Sequence, residues 1–248
     1  MIGCALLIAA GAVGTSRGAW QDISPSPSGN RPGLWSSLRS SASAASASSA
    51  SSSPSPAAVV PYGDGSFTYA DGMSTVVGSG GRLVRYRVAV EGAIGIDPSD
   101  FAADVDGVLA DPRGWTADGT VRLQRVAPGT PVDFTVLLAS PVTSEQLCRA
   151  EGNLTERYTN CRLRGQVVIN SARWLTAVPD YRAPLSVYRA YAVNHEVGHE
   201  LGEWHELCPG PGLPAPVMQQ QTLGLQGCVA NPWPYLDGVR YHGPPASV

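Results

Sequence analysis

The sequence predicts an α+β domain with one mixed, twisted sheet, two main helices and an irregular C-terminal part. Three observations lead to this fold class. Apolar runs of strand length recur between residues 82 and 170, two longer segments carry apolar residues at helical spacing, and Gly, Pro and Gln dominate after residue 201. Strands and helices mixed in this order are typical of helices packed against a single sheet.

The first predicted elements are a strand and a helix. Residues 82–90 alternate between apolar and polar side chains, which predicts a half-buried strand. Asp97 and Pro98 then form a start signal for a helix, because Asp caps helix N-termini and Pro fits the first helical position. Phe101 and Val105 lie one helical turn apart and supply the apolar face of this helix.

Later apolar segments complete the sheet and add the second main helix. The second main helix is predicted to run from Pro184 to about Leu201, and mostly loop follows it. Further strands are predicted over residues 121–126, 132–139 and 166–170, with a short helix over residues 143–149.

The N-terminal region has two parts. Residues 1–15 are apolar but too few to span a bilayer, which takes about 20 residues, so they are interpreted as a signal peptide or a truncated membrane anchor. Residues 16–60 are rich in Ser, Ala and Pro and predict a disordered linker. We therefore expect residues 61–248 to form one domain, secreted or at the extracellular face of the cell envelope, with an N-terminal membrane tether left open.

The cysteines agree with export. Cys4 lies in the leader, and the other four form an even set, which is typical of disulfides in exported chains. Three pairings are possible, and we expect Cys148–Cys161 and Cys208–Cys228 because they close two short loops. A thiolate zinc site is the alternative, but the sequence contains no C-x-x-C pair that would favour it.

Charge limits the choice of partners. The 17 basic and 20 acidic residues give a formal net charge of −3. Nucleic-acid binding draws its affinity from clustered Lys and Arg, so we expect no nucleic-acid partner. We also expect the domain to be a monomer.

Three of the four histidines fall within eleven residues. His195 and His199 are one helical turn apart and project from the same face, so both imidazoles can reach one Zn²⁺. Gly202 can end the helix with a positive φ and turn the chain so that His205 returns to the same ion. Glu196 follows the first ligand and lies beside the metal, where it can take a proton from bound water. Three imidazole ligands leave a fourth position open, as in catalytic zinc sites.

The segment H-E-V-G-H-E-L-G-E-W-H resembles the signature of the metzincin family of zinc metallopeptidases. That family places a methionine turn beneath the metal, and the resemblance assigns this role to Met218 within residues 216–219. It implies a zincin-like fold for residues 61–248. C-terminal motifs such as Asn-Pro-Trp-Pro at residues 231–234 also resemble an uncharacterised domain family of secreted actinobacterial proteins.

The resemblance implies a zinc-dependent peptidase that acts on a peptide or protein substrate. A zinc-bound water attacks the peptide bond, with Glu196 as general base. The family also aligns its substrate along an edge strand, and we expect the segment between Cys148 and Cys161 to border that cleft.

Two other functions stay open. One is a zinc hydrolase of cell-wall amide bonds, and the other is a non-catalytic envelope module that retains the zinc site. The remaining acidic residues Glu200, Glu203 and Glu206 predict a solvated edge, although Glu206 can pair with Arg, and His242 receives no role.

Overall fold

A computed structural model describes residues 58–247. The predicted leader over residues 1–15 and the linker up to residue 57 lie outside the described residues. The helices are α1 (Pro98–Leu109), α2 (Pro141–Ala150), α3 (Ser171–Thr176) and α4 (Leu185–Leu201), with a 3₁₀ turn at Gln221–Leu223. The strands are β1 (Phe67–Tyr69), β2 (Arg82–Glu91), β3 (Val121–Arg125), β4 (Phe134–Ala139), β5 (Cys161–Leu163), β6 (Gln166–Asn170), β7 (Tyr235–Leu236) and β8 (Val239–Arg240).

Six of the strands form the mixed sheet that the sequence predicts. Their order is β1-β2-β4-β6-β5, with β3 paired to β2 off this path. β2 runs parallel to β3 and β4, and β4 runs parallel to β6, whereas β1 and β5 are antiparallel to their neighbours. Among residues 58–247, β5 pairs only with β6, so its other edge has no strand partner.

The sheet is covered by helices on both faces. All six residues of β4 are buried, as expected of a parallel strand between two helical layers. α1 and α4 pack on one face, where Phe101 and Val193 join the apolar residues of β2, β4 and β6. α2 covers the opposite face at Leu137 and Val168. α4 also contacts β5 and β6, so its position against the edge of the sheet is fixed.

The predicted start signals are confirmed for the first helix. The carboxylate of Asp97 accepts a hydrogen bond from the N–H of Ser99 at 2.7 Å, and Pro98 is the first helical residue. Ser140 caps α2 in the same way, with Pro141 next to it. Such caps satisfy N–H groups that the first helical turn leaves without partners.

The structure has four helices, whereas the sequence predicts two main helices and one short helix. α2 has ten residues and exceeds the short helix expected at residues 143–149. α3 has six residues and begins directly after Asn170, the last residue of β6, whose side chain accepts from the N–H of Ala172 at 3.0 Å. The sequence analysis did not predict α3, because Asn170 both ends the strand β6 and caps the helix, with no loop between the two elements. Within residues 58–247, no helix has the length and apolar character needed to cross a membrane.

Glu91, at the end of β2, ties the start of the domain to α2. Its side chain is 2% exposed and accepts hydrogen bonds from the N–H of Gly65 at 3.0 Å and of Ser140 at 2.6 Å. The hydroxyl of Thr143 donates to the same carboxylate at 2.6 Å. A buried carboxylate needs such partners because an unpaired one costs several kcal/mol. These bonds hold the residues before β1 against the sheet.

Both expected disulfides are present. The bond between Cys148 and Cys161 joins α2 to the edge strand β5. The bond between Cys208 and Cys228 closes a loop that includes Met218. Two disulfides are consistent with an extracellular location, because such bonds persist in oxidising compartments.

Candidate metal centre

α4 and the loop after it bring His195, His199 and His205 together. One ring nitrogen of each residue lies within 4.8 Å of the other two, so the three side chains could hold one metal ion. The Nε2 atoms of His199 and His205 are 3.0 Å apart. The three histidines singled out in the sequence therefore converge on one point.

Gly202 produces the turn that this convergence needs. α4 ends at Leu201, and Gly202 follows with φ +104°, a conformation that is costly for any residue with a Cβ atom. The N–H of Gly202 donates to the carbonyl of His199 at 3.2 Å, and the N–H of Glu203 donates to that of Gly198 at 2.9 Å. These bonds satisfy the last helical carbonyls while the chain reverses towards the third histidine.

Backbone carbonyls orient two of the imidazole rings. His195 Nδ1 lies 2.9 Å from the carbonyl oxygen of Val217, and His199 Nδ1 lies 2.9 Å from that of Glu203. A carbonyl oxygen only accepts hydrogen bonds, so each Nδ1 carries the proton and each Nε2 keeps its lone pair. Such partners fix the ring orientation of metal-binding histidines. The sequence could not reveal these two hydrogen bonds, because both acceptors are backbone carbonyls and every residue type carries one.

Burial keeps the imidazoles neutral. Desolvation lowers the pKa of His195 well below its usual range and also lowers the pKa of His199. For His205, burial and the neighbouring His199 lower the pKa to about 4. Neutral imidazole is the form that binds metal, so the donor set fits a divalent ion near neutral pH.

Glu196 lines the same cavity as the three histidines. Its side chain is buried, and desolvation raises the pKa of the carboxyl group to about 8. A buried carboxyl group in a cleft is the kind of group that enzymes use to exchange protons near neutral pH. Glu196 therefore lies in the cavity with the three histidines, and the group of described residues that could hold a metal ion consists of those histidines.

Met218 packs against α4 at Gly198, the residue before His199. Residues 216–219 form a turn in which the N–H of Gln219 donates to the carbonyl of Pro216 at 3.0 Å. The side chain of Met218 is fully buried, and its carbonyl accepts from the N–H of Glu206 at 3.1 Å. Since Val217 in the same turn orients one imidazole, this turn supports both the helix and the loop of the site.

The site opens into a cleft of about 620 Å³. Its walls come from α4, from the 3₁₀ turn, from β5 and from part of the segment between Cys148 and Cys161, as expected. Sequence reasoning missed β5, which has three residues and is too short for a periodic signal. It also missed Arg162 on this strand, whose guanidinium pairs with Glu200 at 2.6 Å on the cleft wall.

Glu200, Glu203 and Glu206, which the sequence predicts to form a solvated edge, each pair with an Arg side chain. Glu206 is buried and bonded to His242 and Arg240, so the expectation of exposure is wrong for this residue and the option of pairing with Arg is confirmed. Arg240 also pairs with Glu203 at 3.1 Å. No local pattern links partners that are more than thirty residues apart in the chain.

The fold and the site define an α+β protein with a three-histidine cluster, set in a cleft, that could hold a metal ion. The chain belongs to the family described as a protein of unknown function (DUF3152), whose model matches residues 53–236. No curated protein and no solved structure matches the chain.

Proposed function

We propose that the protein is a secreted or cell-surface zinc-dependent peptidase with a zincin-like fold. The observation that carries this proposal is that Glu196 and three convergent imidazoles share one open cleft. The resemblance of residues 195–205 to the metzincin signature supports it, with Met218 in the family's methionine turn. The two disulfides support the location outside the cell.

Zinc is the metal that this donor set favours. The three ligands are neutral imidazoles, with no thiolate among them, and they leave a coordination position free for water or substrate. When bound, zinc lowers the pKa of water towards about 7 and polarises a carbonyl oxygen.

Glu196 moves the proton in this mechanism. Glu196 must start ionised, a form that a divalent cation held by the neighbouring histidines would favour. It then accepts a proton from the water that attacks the peptide carbonyl, and its buried surroundings favour the protonated form that results. It then donates the proton to the leaving nitrogen as the C–N bond breaks. The products are a carboxylic acid and an amine, and Glu196 returns to its starting form.

β5 offers an edge along which an extended peptide can bind. Cys161 and Arg162 of this strand line the cleft, and within residues 58–247 the strand pairs only with β6. Main-chain pairing along such an edge gives affinity that does not depend on side chains. Because α4 contacts β5, a peptide bound there lies close to Glu196 and the histidines.

Metal content and peptide hydrolysis by the full chain test the proposal. We expect about one zinc per chain, and cleavage of a diverse peptide library that stops on chelation and returns with zinc. Glu196→Gln should keep zinc and lose hydrolysis by about 100-fold or more, since general acid–base catalysis contributes roughly 10²–10⁴-fold. Glu156→Gln is the matched control, because Glu156 is an exposed glutamate that does not line the cleft; it should retain activity.

Other results decide between the alternatives. A chain that binds no zinc overturns the proposal. Hydrolysis restricted to cell-wall peptides favours a zinc hydrolase of cell-wall amide bonds. Zinc binding without hydrolysis of any peptide favours a non-catalytic envelope module.

A further inference from the structure

The loop that carries His205 is bonded to the C-terminal residues of the chain. Glu206 follows His205 directly and is 8% exposed. Its carboxylate accepts hydrogen bonds from His242 Nδ1 at 2.9 Å, from the N–H of Gly243 at 3.3 Å and from Arg240 Nη2 at 3.4 Å. A buried carboxylate without partners is costly, so Glu206 keeps these residues at the loop.

The backbones of the two segments are also paired. The N–H of Leu207 donates to the carbonyl of Pro244 at 2.7 Å, and the N–H of Ala246 donates to the carbonyl of His205 at 3.0 Å. The N–H of Glu206 donates to the carbonyl of Met218 at 3.1 Å. The loop is therefore held between the turn at Met218 and the C-terminal residues.

Arg240 connects this arrangement to α4. Its guanidinium donates to Glu203 at 3.1 Å and to Glu206 at 3.4 Å, and lies 5.0 Å from the centre of the Trp115 ring. Trp115 Nε1 in turn donates to the carbonyl of Asn194 in α4 at 2.9 Å. The Arg240 side chain is 13% exposed, so these contacts are shielded from water and gain strength.

His205 depends on this support more than the other two histidines do. The rings of His195 and His199 each bond to a carbonyl through Nδ1, whereas the hydrogen bonds of residues 58–247 include none from His205 Nδ1. His205 also lies in a loop, while the other two lie in a helix. The position of its Nε2 therefore follows from the backbone around it.

We propose that residues 239–246, the C-terminal brace, position His205 for metal binding, with Glu206 and Arg240 as positioning residues. This role rests on the three-histidine metal site of the proposed function. The brace follows residue 236, the last residue that the family model matches, so it lies outside the matched region.

Zinc affinity and fold stability, measured on the full chain at one pH, separate positioning from general support. Competition with a chromophoric chelator gives the zinc dissociation constant, and the visible spectrum of the Co²⁺-loaded protein reports ligand geometry. Glu206→Gln keeps the size of the side chain and removes the charge that holds the brace. We expect it to weaken zinc binding about 10-fold, the lower end of the loss seen when the surroundings that orient a metal ligand are changed, and to change the Co²⁺ spectrum.

Asp106→Asn is the matched control. Asp106 pairs with Arg125 at 2.9 Å in a partly buried ion pair that does not line the cleft. Its substitution should lower Tm and leave the zinc dissociation constant within twofold of the wild-type value. Arg240→Lys, which keeps a cation, should bind zinc more tightly than Arg240→Met.

His242→Ala tests the brace with the least risk to folding, because the His242 side chain is 58% exposed. We expect at least a threefold loss of zinc affinity. Folded Glu206→Gln and His242→Ala proteins that both bind zinc within twofold of the wild type would overturn the brace and leave the metal site standing. A wild-type chain without zinc overturns the metal site and the brace together. If Glu206→Gln does not fold, the His242 and Arg240 variants decide the question.

Discussion

The Sδ atom of Met218 lies 2.5 Å from the point where a Cβ atom on Gly198 would stand. The indole ring of Trp115 approaches the same point at 2.6 Å. Gly198 lies in α4 between His195 and His199, so this helix can approach the methionine only where it has no side chain. The glycine inside the histidine motif is therefore a packing requirement of this site.

Gly198→Ala is predicted to destabilise the protein although Ala favours helices more than Gly does. Overpacking at this contact should lower the free energy of unfolding by about 1–3 kcal/mol, and zinc binding should weaken because two histidines share the helix. Urea unfolding checks the first effect and chelator competition the second. Gly107→Ala is the control, since Gly107 in α1 has open space around it; it should gain up to about 1 kcal/mol. Equal stability of Gly198→Ala and the wild type would contradict the packing requirement.

Gly202→Ala is predicted to strain the end of α4. Ala at φ +104° costs roughly 1–2 kcal/mol, and relief of this strain moves the loop that carries His205. Gly129→Ala introduces similar strain at φ +87° in open space and outside the cleft. Both variants should lose stability in thermal unfolding, and only Gly202→Ala should lose zinc affinity. Equal zinc affinity in the two variants would contradict the proposed role of the turn.

The two disulfides are predicted to act on different parts of the site. Replacing both Cys208 and Cys228 by Ser should cost about 2–4 kcal/mol and weaken zinc binding, because this loop includes Met218. Replacing Cys148 and Cys161 should cost a similar free energy, leave zinc affinity unchanged and raise KM for peptides, because this bond anchors β5. The same zinc affinity in both double variants would contradict the prediction that only the Cys208–Cys228 bond supports zinc binding.

The carboxylate of Glu145, which binds the segment between α2 and β5, is predicted to make the stability of the fold depend on pH in acid. Hydrogen bonds from Thr155 and Arg149 lower the pKa of Glu145 from 4.5 to about 2. A carboxylate with a lowered pKa in the folded state stabilises the fold fully above about pH 4.5, and this contribution is lost as pH falls towards 2. The stability difference between wild type and Glu145→Gln should thus be constant from pH 7 to pH 5.5 and shrink below pH 4.5. Denaturant unfolding at several pH values measures it, and a difference independent of pH would contradict the assignment.

The spacing of residues along the sequence predicted the elements that depend on neighbouring residues in the chain. The strand β2, the helices α1 and α4, and the converging histidines all follow from residue spacing within one element or one turn. The rest depends on contacts between distant residues. β5 is defined by its partner β6, and the burial of Glu206 is defined by Arg240, which lies 34 positions away. Such pairs leave no periodic signal in a single sequence.

The hydrogen bonds of Glu91 also define where the folded domain begins. Gly65 donates to its carboxylate, and a side chain at Gly63 would overlap the same group. A chain cut after Gly65 would leave Glu91 with partners from α2 alone, whereas any change before Pro61 leaves its bonds intact. A shortened chain that begins at Pro61 should therefore keep its N-terminal residues attached to α2, because the carbonyl of Pro61 also accepts a hydrogen bond from the N–H of Val142 at 3.3 Å.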